Sequence, residues 1–138
     1  MALSANHYGI TVSDLDRAVE FYRDAVGLDE IDRFSVSGEA FATGVGVDGA
    51  SGDFVHLDAG ETRVELVEYG PTDENATAEN VTQAGAKHLG LSVSDLDAFY
   101  DELPDRIDTV SEPQTTESGT RILFLRDPEG NMVEVLEA

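Results

Sequence analysis

A ten-residue phrase that occurs twice restricts how this chain can fold. HYGITVSDLD begins at His7 and HLGLSVSDLD begins at His88, and seven of the ten positions are identical. Each copy opens with one of the three histidines in the chain. Because internal repetition of this kind is typical of duplicated supersecondary units, we expect two similar halves.

Each copy predicts a strand followed by a helix. Apolar residues alternate with His, Gly and Thr or Ser, which is the pattern of a half-buried strand. Ser13 and Ser94 are the predicted N-caps, since an acid follows three residues after each. Apolar residues at helical spacing come next, and the predicted helices end at Gly27 and Pro104.

Strand-like segments complete each half. The first half has three, at 31–36, at 40–47 with 53–58 around a Gly-rich turn, and at 62–69, and the second half has three, at 107–112, 120–126 and 131–137. Both halves close on Val-Glu, two apolar residues and Glu, as VELVE and VEVLE. The predicted order in each half is therefore β-α-β-β-β, and the fold class is α+β.

We predict one domain over residues 1–138. It consists of a module at about 5–69, a linker at 70–87 and a second module at about 88–138. A half of about 60 residues buries too little surface to be stable alone, so we expect the modules to pack together.

Strand alternation predicts which side chains share a face. In the first strand of each half, His7 and His88 point away from the helix, beside small residues. In the closing strands, Glu65 and Glu134 lie between apolar residues and so face the same way as the histidines. Two imidazoles and two carboxylates are nitrogen and oxygen donors that suit Zn, Ni, Co, Mn or Fe(II). His56 has no counterpart at matching spacing and is interpreted as a structural strand residue.

These stretches resemble the vicinal oxygen chelate superfamily, which includes glyoxalase I, bleomycin-resistance proteins and extradiol dioxygenases. The resemblance rests on HYGITVSDLDRAVEFYRDAVGL, HLGLSVSDLD and DPEGNMVEVLEA, and it extends over nearly the whole chain. It implies two βαβββ modules paired into an open, cup-shaped mixed sheet with the helices outside. It also implies that His7, Glu65, His88 and Glu134 bind one divalent first-row metal ion. By the same resemblance we expect a homodimer, with the four ligands coming from one chain or from both.

By this resemblance, the chain is a metal-dependent lyase or isomerase that forms an enediolate from a small substrate with vicinal oxygens. Glu134 is the first candidate for the base that removes the proton, and Glu65 is the second. Glyoxalase I usually has an arginine four residues after the first histidine, to hold a glutathione carboxylate. The residue here is Thr11, so the sequence does not identify which thiol, if any, serves as a cosubstrate.

Two alternatives belong to other classes. An extradiol dioxygenase would bind Fe(II) through His7, His88 and Glu134, and would use a further His or Tyr near the metal. The candidates for that residue are His56, Tyr8 and Tyr69, and alternation places Tyr8 on the helix side. A metal-free protein that sequesters a small molecule, as bleomycin-resistance proteins do, would usually have lost the ligand set and gained aromatic residues.

Composition excludes several partners and sites. The chain has 29 Asp and Glu against 8 Lys and Arg, a net charge of −21, and such a surface repels nucleic acid and anionic membranes. It resembles cytoplasmic proteins of salt-accumulating halophiles, where ~1 M salt shortens the Debye length to about 3 Å. No cysteine is present, which excludes thiolate ligands. Without an apolar run of ~18 residues or a signal-like start, we expect a cytoplasmic protein.

Overall fold

Two four-stranded mixed sheets, one in each half of the chain, form the framework of the protein. A computed structural model describes all 138 residues. The chain divides into unit 1, Met1–Glu74, and unit 2, Asn75–Ala138. None of its helices is long and apolar enough to span a bilayer.

Unit 1 has the predicted strand, helix and closing strands, with one additional helix. Its elements are β1 (His7–Thr11), α1 (Leu15–Val19), β2 (Glu30–Val36), α2 (Glu39–Val45), β3 (Ser51–Asp58) and β4 (Arg63–Gly70). After α1 the chain continues as a π-helix over Glu20–Ala25, and Gly27 follows with a φ of 99°. The strand order is β1-β4-β3-β2, and β1 runs parallel to β4.

Unit 2 repeats this layout. Its elements are β5 (His88–Ser92), α3 (Leu96–Glu102), β6 (Gln114–Thr115), β7 (Arg121–Arg126) and β8 (Met132–Glu137). The strand order β5-β8-β7-β6, with β5 parallel to β8, is the same arrangement as in unit 1. The predicted α+β class is confirmed, and so is the β-α-β-β-β order of each half, apart from α2, which lies between β2 and β3 of unit 1.

The apolar residues of each sheet pack beneath its helix. Val64 and Leu66 of β4 are fully buried, and so are Val133 and, nearly, Val135 of β8. These residues alternate with Glu65 and Glu134, so the two glutamates lie on the opposite face of their sheets. The faces predicted from strand alternation are therefore confirmed.

The helix caps differ from the prediction by one residue. Asp14 and Asp95, rather than Ser13 and Ser94, are the N-caps, and their carboxylates accept hydrogen bonds from the Arg17 and Ala98 amides. An aspartate accepts as well as a serine at an N-cap, and its charge also complements the helix dipole.

Glutamates of the closing strands support the same helix ends. The Leu15 amide donates to Glu68 Oε1, and the Leu96 amide donates to Glu137 Oε1, each at 2.8 Å. Glu68 and Glu137 are the final glutamates of VELVE and VEVLE, so each closing strand is tied to the first turn of its own helix.

The prediction of a strand at 40–47 was wrong, because Glu39–Val45 is α2. Phe41 and Val45 are four residues apart, a spacing that fits both the face of a strand and the face of a helix. Gly38 begins the helix and Gly46, with a φ of 76°, ends it in the left-handed conformation that favours glycine.

The strand predicted at 107–112 was also wrong in extent. This segment makes one isolated bridge, Thr109 to Leu125, and strand pairing with β7 occurs at Gln114–Thr115. Pro113 stands between the two and has no amide hydrogen to donate to a ladder.

Candidate metal centre

In unit 1 the predicted histidine and glutamate lie side by side. β1 pairs with β4 so that Gly9 lies opposite Glu65. His7 Nε2 is 3.5 Å from Glu65 Oε1, and its other ring nitrogen, Nδ1, is 2.8 Å from Asn6 Oδ1. A partner on Nδ1 orients the ring and leaves Nε2 directed at the carboxylate.

Unit 2 contains an equivalent pair. Gly90 lies opposite Glu134 in the β5–β8 ladder, and His88 Nε2 is 3.4 Å from Glu134 Oε1. The histidine and glutamate side chains are 43% and 18% exposed, against 39% and 15% for His7 and Glu65. The repeated sequence phrases therefore produce two His–Glu pairs of nearly the same geometry and exposure, each a half-site of the predicted four-ligand centre.

The donor atoms of each half-site suit a divalent metal. Donors bound to one metal at about 2.0–2.2 Å are about 3.0–3.5 Å apart when their bonds diverge by roughly 90–110°. The Nε2 to Oε1 distances of 3.5 Å and 3.4 Å fall in this range. An imidazole and a carboxylate both suit first-row divalent ions.

The structure brings together the two members of each pair. No group of three or more His, Asp or Glu side chains in it has metal-holding geometry. The combination of His7, Glu65, His88 and Glu134 in one four-ligand site therefore stays a prediction.

Glu65 has a second histidine beside it, His56, which was interpreted from the sequence as a structural strand residue and was a metal neighbour only in the dioxygenase alternative. His56 Nε2 is 2.8 Å from Glu65 Oε2, across the antiparallel pairing of β3 with β4. The two side chains are only 11% and 15% exposed, so the contact is well shielded from water. Alternation along FVHLD places His56 on the same face as Glu65. The second half of the chain has no histidine at the equivalent position, so repetition did not indicate a role for His56.

Arg63 extends this contact. Its guanidinium Nη1 is 3.3 Å from His56 Nδ1, and the Phe34 ring meets the imidazole edge-on with centroids 5.1 Å apart. Arg63, His56 and Glu65 thus form a continuous polar chain along the site face of unit 1.

Unit 2 has apolar residues at both equivalent positions. Phe124 lies opposite Glu134 as His56 lies opposite Glu65, and Met132 lies opposite His88 as Arg63 lies opposite His7. The Phe124 ring contacts His88 edge-on at 5.2 Å. His88 is therefore the only side chain that forms an ion pair with the Glu134 carboxylate.

Aromatic side chains also pack on the site face of unit 1. Phe34 stacks on Phe54 with centroids 5.1 Å apart, and Phe41 of α2 contacts both Phe54 and Tyr69. Phe54 is buried, which gives α2 an apolar surface to pack on.

Of the two tyrosines predicted as neighbours of a dioxygenase metal, only Tyr69 shares the site face. Tyr8 pairs with Val64 in the β1–β4 ladder and lies on the helix side, where burial raises the pKa of its phenol.

The sequence model of the Glyoxalase/Bleomycin resistance protein/Dioxygenase superfamily matches residues 4–135. The chain belongs to this superfamily. Two curated relatives are each 27% identical to it. One is a 2-epi-5-epi-valiolone epimerase from Actinomyces sp, aligned over 98% of this chain and 79% of the relative. The other is a probable lactoylglutathione lyase from Synechocystis sp., aligned over 95% of this chain and 92% of the relative.

Solved structures of the glyoxalase superfamily share the fold. A glyoxalase family protein from Bacillus cereus matches with a TM-score of 0.87 at 24% identity, over 99% of this chain and 95% of that one. The trypanothione-dependent glyoxalase I of Leishmania major matches with a TM-score of 0.67 at 23% identity, over 99% and 87%. At this level of identity the likeness concerns the fold alone.

Proposed function

We propose that this glyoxalase-superfamily protein is a metal-dependent lyase or isomerase that moves a proton next to a carbonyl in a small vicinal-oxygen substrate. The observation that carries the proposal is the occurrence of two His–Glu pairs with the same separation and exposure, one in each unit. A single exposed His–Glu contact is common on protein surfaces. Its repetition at equivalent strand positions favours a shared ligand.

In this proposal His7, Glu65, His88 and Glu134 hold one divalent first-row ion, which is Zn, Ni, Co, Mn or Fe. The four ligands come from one chain or from the two chains of the expected homodimer. When bound, such an ion supplies the positive charge that stabilises an enediolate.

The chain itself supplies the base. A carboxylate takes the proton from the carbon next to the carbonyl, and the electron pair of the broken C–H bond moves onto the carbonyl oxygen. Return of the proton to the former carbonyl carbon, with transfer of the neighbouring hydroxyl proton to the former carbonyl oxygen, gives an isomer. Return of the proton to the opposite face of the original carbon gives an epimer. Glu134 is the first candidate for this carboxylate, since its one ionic partner is His88. Glu65, which also contacts His56, is the second.

The names of the relatives and the residues of the site face together narrow the class of substrate. The names of the two curated relatives cover an epimerase and a lyase, and both reactions fit proton transfer beside a carbonyl. Thr11 stands where glyoxalase I usually has the arginine for glutathione, and Arg63 is engaged with His56. We therefore favour a substrate that does not depend on a glutathione carboxylate.

A second candidate, an extradiol-type dioxygenase, is favoured by one observation. His56 lies beside the unit 1 half-site, where such enzymes use a further histidine. In that alternative Fe(II) is held by His7, His88 and Glu134, and Glu65 is a surplus carboxylate. Catechol-dependent oxygen consumption by the Fe(II)-loaded protein distinguishes this alternative from the lyase or isomerase.

Hydrogen exchange tests the main proposal without requiring the physiological substrate. Hemithioacetals and acyl-CoA epimers are incubated in D₂O with protein loaded with Zn, Ni, Co or Mn, and loss of the C–H signal is followed by NMR. We expect metal-dependent exchange with at least one class, and its loss in Glu134→Gln. Exchange that is equal in metal-free protein, or undiminished in Glu134→Gln and Glu65→Gln, would contradict the proposal.

A further inference from the structure

We infer that His56 and Arg63 are positioning residues that fix Glu65 in one orientation and make the two glutamates unequal. Glu65 is then the permanent ligand of the site, and Glu134 is the carboxylate that can leave it to move a proton. This inference rests on the proposed metal site and assigns roles to residues that the ligand set does not include.

The chemistry of Arg63 determines which nitrogen of His56 carries a hydrogen. A guanidinium has donors and no acceptor, so its 3.3 Å contact with His56 Nδ1 requires Nδ1 to accept. The hydrogen of the neutral imidazole is then on Nε2, which is 2.8 Å from Glu65 Oε2. Arg63 therefore selects the tautomer in which His56 donates to Glu65.

This donation leaves Glu65 with one occupied oxygen and one free for a ligand bond. Oε2 accepts from His56, while Oε1 faces His7 Nε2 at 3.5 Å. Because His56 and Glu65 are both largely shielded from water, few water molecules compete for this hydrogen bond. Phe34 packs edge-on against the imidazole and restricts its rotation.

Unit 2 has no equivalent restraint. Phe124 and Met132 stand at the positions of His56 and Arg63, and neither side chain can donate a hydrogen bond. Glu134 meets only the His88 nitrogen at 3.4 Å. Release of Glu134 from a metal would therefore break one fewer contact than release of Glu65.

Three variants test the positioning role. His56→Phe introduces the residue that unit 2 has at this position, His56→Gln keeps an amide donor for Glu65, and Arg63→Met introduces the other unit 2 residue. Arg33→Met is the matched control for the loss of one positive charge, since Arg33 pairs with Glu30 and not with His56. The readouts are Co(II) affinity by titration, the Co(II) absorption spectrum, and the ¹⁵N shifts of His56 in metal-free protein.

We expect His56→Phe to weaken Co(II) binding about 10- to 100-fold, the usual effect of losing an outer-shell partner. His56→Gln should recover most of this affinity, and Arg33→Met should match the wild type. The ¹⁵N shifts should assign the hydrogen to Nε2 in the wild type, with a mixture of tautomers in Arg63→Met.

If the wild type and His56→Phe bind Co(II) with the same affinity and the same spectrum, the positioning role is overturned and the proposed function is left intact. Hydrogen on Nδ1 of His56 in the wild type would also overturn it. A wild type that binds no Co(II), Zn, Ni, Mn or Fe(II) would overturn both proposals. If His56→Phe does not fold, the tautomer measurement and the comparison of Arg63→Met with Arg33→Met decide the question.

Discussion

The two half-sites have the same histidine–glutamate pair and different surroundings. His7 and Glu65 are separated by 3.5 Å, and His88 and Glu134 by 3.4 Å. Around Glu65 there is a hydrogen-bonding imidazole, whereas the corresponding neighbour of Glu134 is the ring of Phe124. The β-α-β-β-β framework thus supplies donor pairs of equal geometry, and the neighbouring strand decides how firmly each carboxylate is held.

This comparison shows which parts of a duplicated module can vary. The N-cap aspartates, and Glu68 and Glu137, which accept from the first amide of each helix, have the same contacts in both units. The residues opposite the glutamates have a different chemical character in each unit. In the proposed mechanism, a base and a permanent ligand therefore arise from the same sequence phrase.

Removing one carboxylate charge at a time tests the inequality most strongly. Glu134→Gln should lower turnover about 10²- to 10⁴-fold, the usual contribution of a general base, with a smaller effect on metal affinity. Glu65→Gln should chiefly weaken metal binding, since its role is to hold the ion. Turnover under metal saturation and Co(II) affinity are measured for both variants. Equal losses of both quantities in the two variants would make the glutamates equivalent.

Giving unit 2 the surroundings of unit 1 is the reciprocal experiment. Phe124→His combined with Met132→Arg should provide Glu134 with an imidazole donor and hold it in place. We expect turnover to fall about 10-fold or more while Co(II) affinity is kept or increased. Arg121→Lys is a control that changes a cation of the same unit away from Glu134. A double variant with full turnover would show that mobility of Glu134 is not required.

Substitution of Glu68 or Glu137 should lower the stability of the protein by a similar amount. These two glutamates therefore differ from Glu65 and Glu134, for which we expect unequal effects. Glu68→Ala and Glu137→Ala each remove the acceptor for the first amide of a helix, at a cost of about 0.5–2 kcal/mol in the free energy of unfolding. The glutamine variants should cost less because they keep an acceptor oxygen. Urea denaturation measures the four values. A difference of more than about 1 kcal/mol between the alanine variants would contradict the equivalence of the two frameworks.

The smallest predicted effect is confined to unit 1, where β2 carries Glu30. A hydrogen bond from Arg33, together with the charges of Arg33 and Arg23, holds the pKa of this carboxyl below its ordinary value, against an opposing effect of burial. The ion pair is at the surface, so its contribution is about 0.2–1 kcal/mol. The corresponding strand of unit 2, Gln114–Thr115, has no acid.

The sign of the pH dependence follows from that lowered pKa. The contribution of Glu30 is complete above the pKa of the unfolded chain, about 4.3, and it is lost as pH falls through the lower pKa of the folded chain. The wild type should therefore lose slightly more stability than Glu30→Gln between pH 5 and pH 3 at low ionic strength. If the melting temperatures of the two proteins fall by the same amount over this range, the predicted contribution of Glu30 is contradicted.

The sequence predicted most of the framework because repetition doubled each weak local signal. Alternation assigned Glu65 and Glu134 to the face of the histidines, and the burial of Val64 and Val133 confirms that assignment. Strand faces follow from a period of two residues, which can be read without knowing the tertiary structure.

The features that the sequence analysis missed depend on the partner strand or on an ambiguous period. The contact of His56 with Glu65 follows from the register of β3 on β4, which the hairpin turn sets and alternation alone does not. In α2, the spacing of Phe41 and Val45 fits a strand and a helix equally well. In the folded helix Phe41 packs on Phe54 and Tyr69, contacts that the spacing alone does not predict. The proposed four-ligand combination depends on whether His–Glu pairs from two modules come together, which no local pattern encodes.

Metal analysis tests the central claim that the two His–Glu pairs are halves of one metal site. Protein is purified in high salt without chelator, loaded with each first-row divalent ion in turn, and compared with a His7→Ala, His88→Ala double variant of equal folded content. We predict about one ion per four-ligand site in the wild type and its loss in the double variant. Absence of bound metal from the folded wild type, or equal binding by both proteins, would contradict the claim and make the repeated histidines structural.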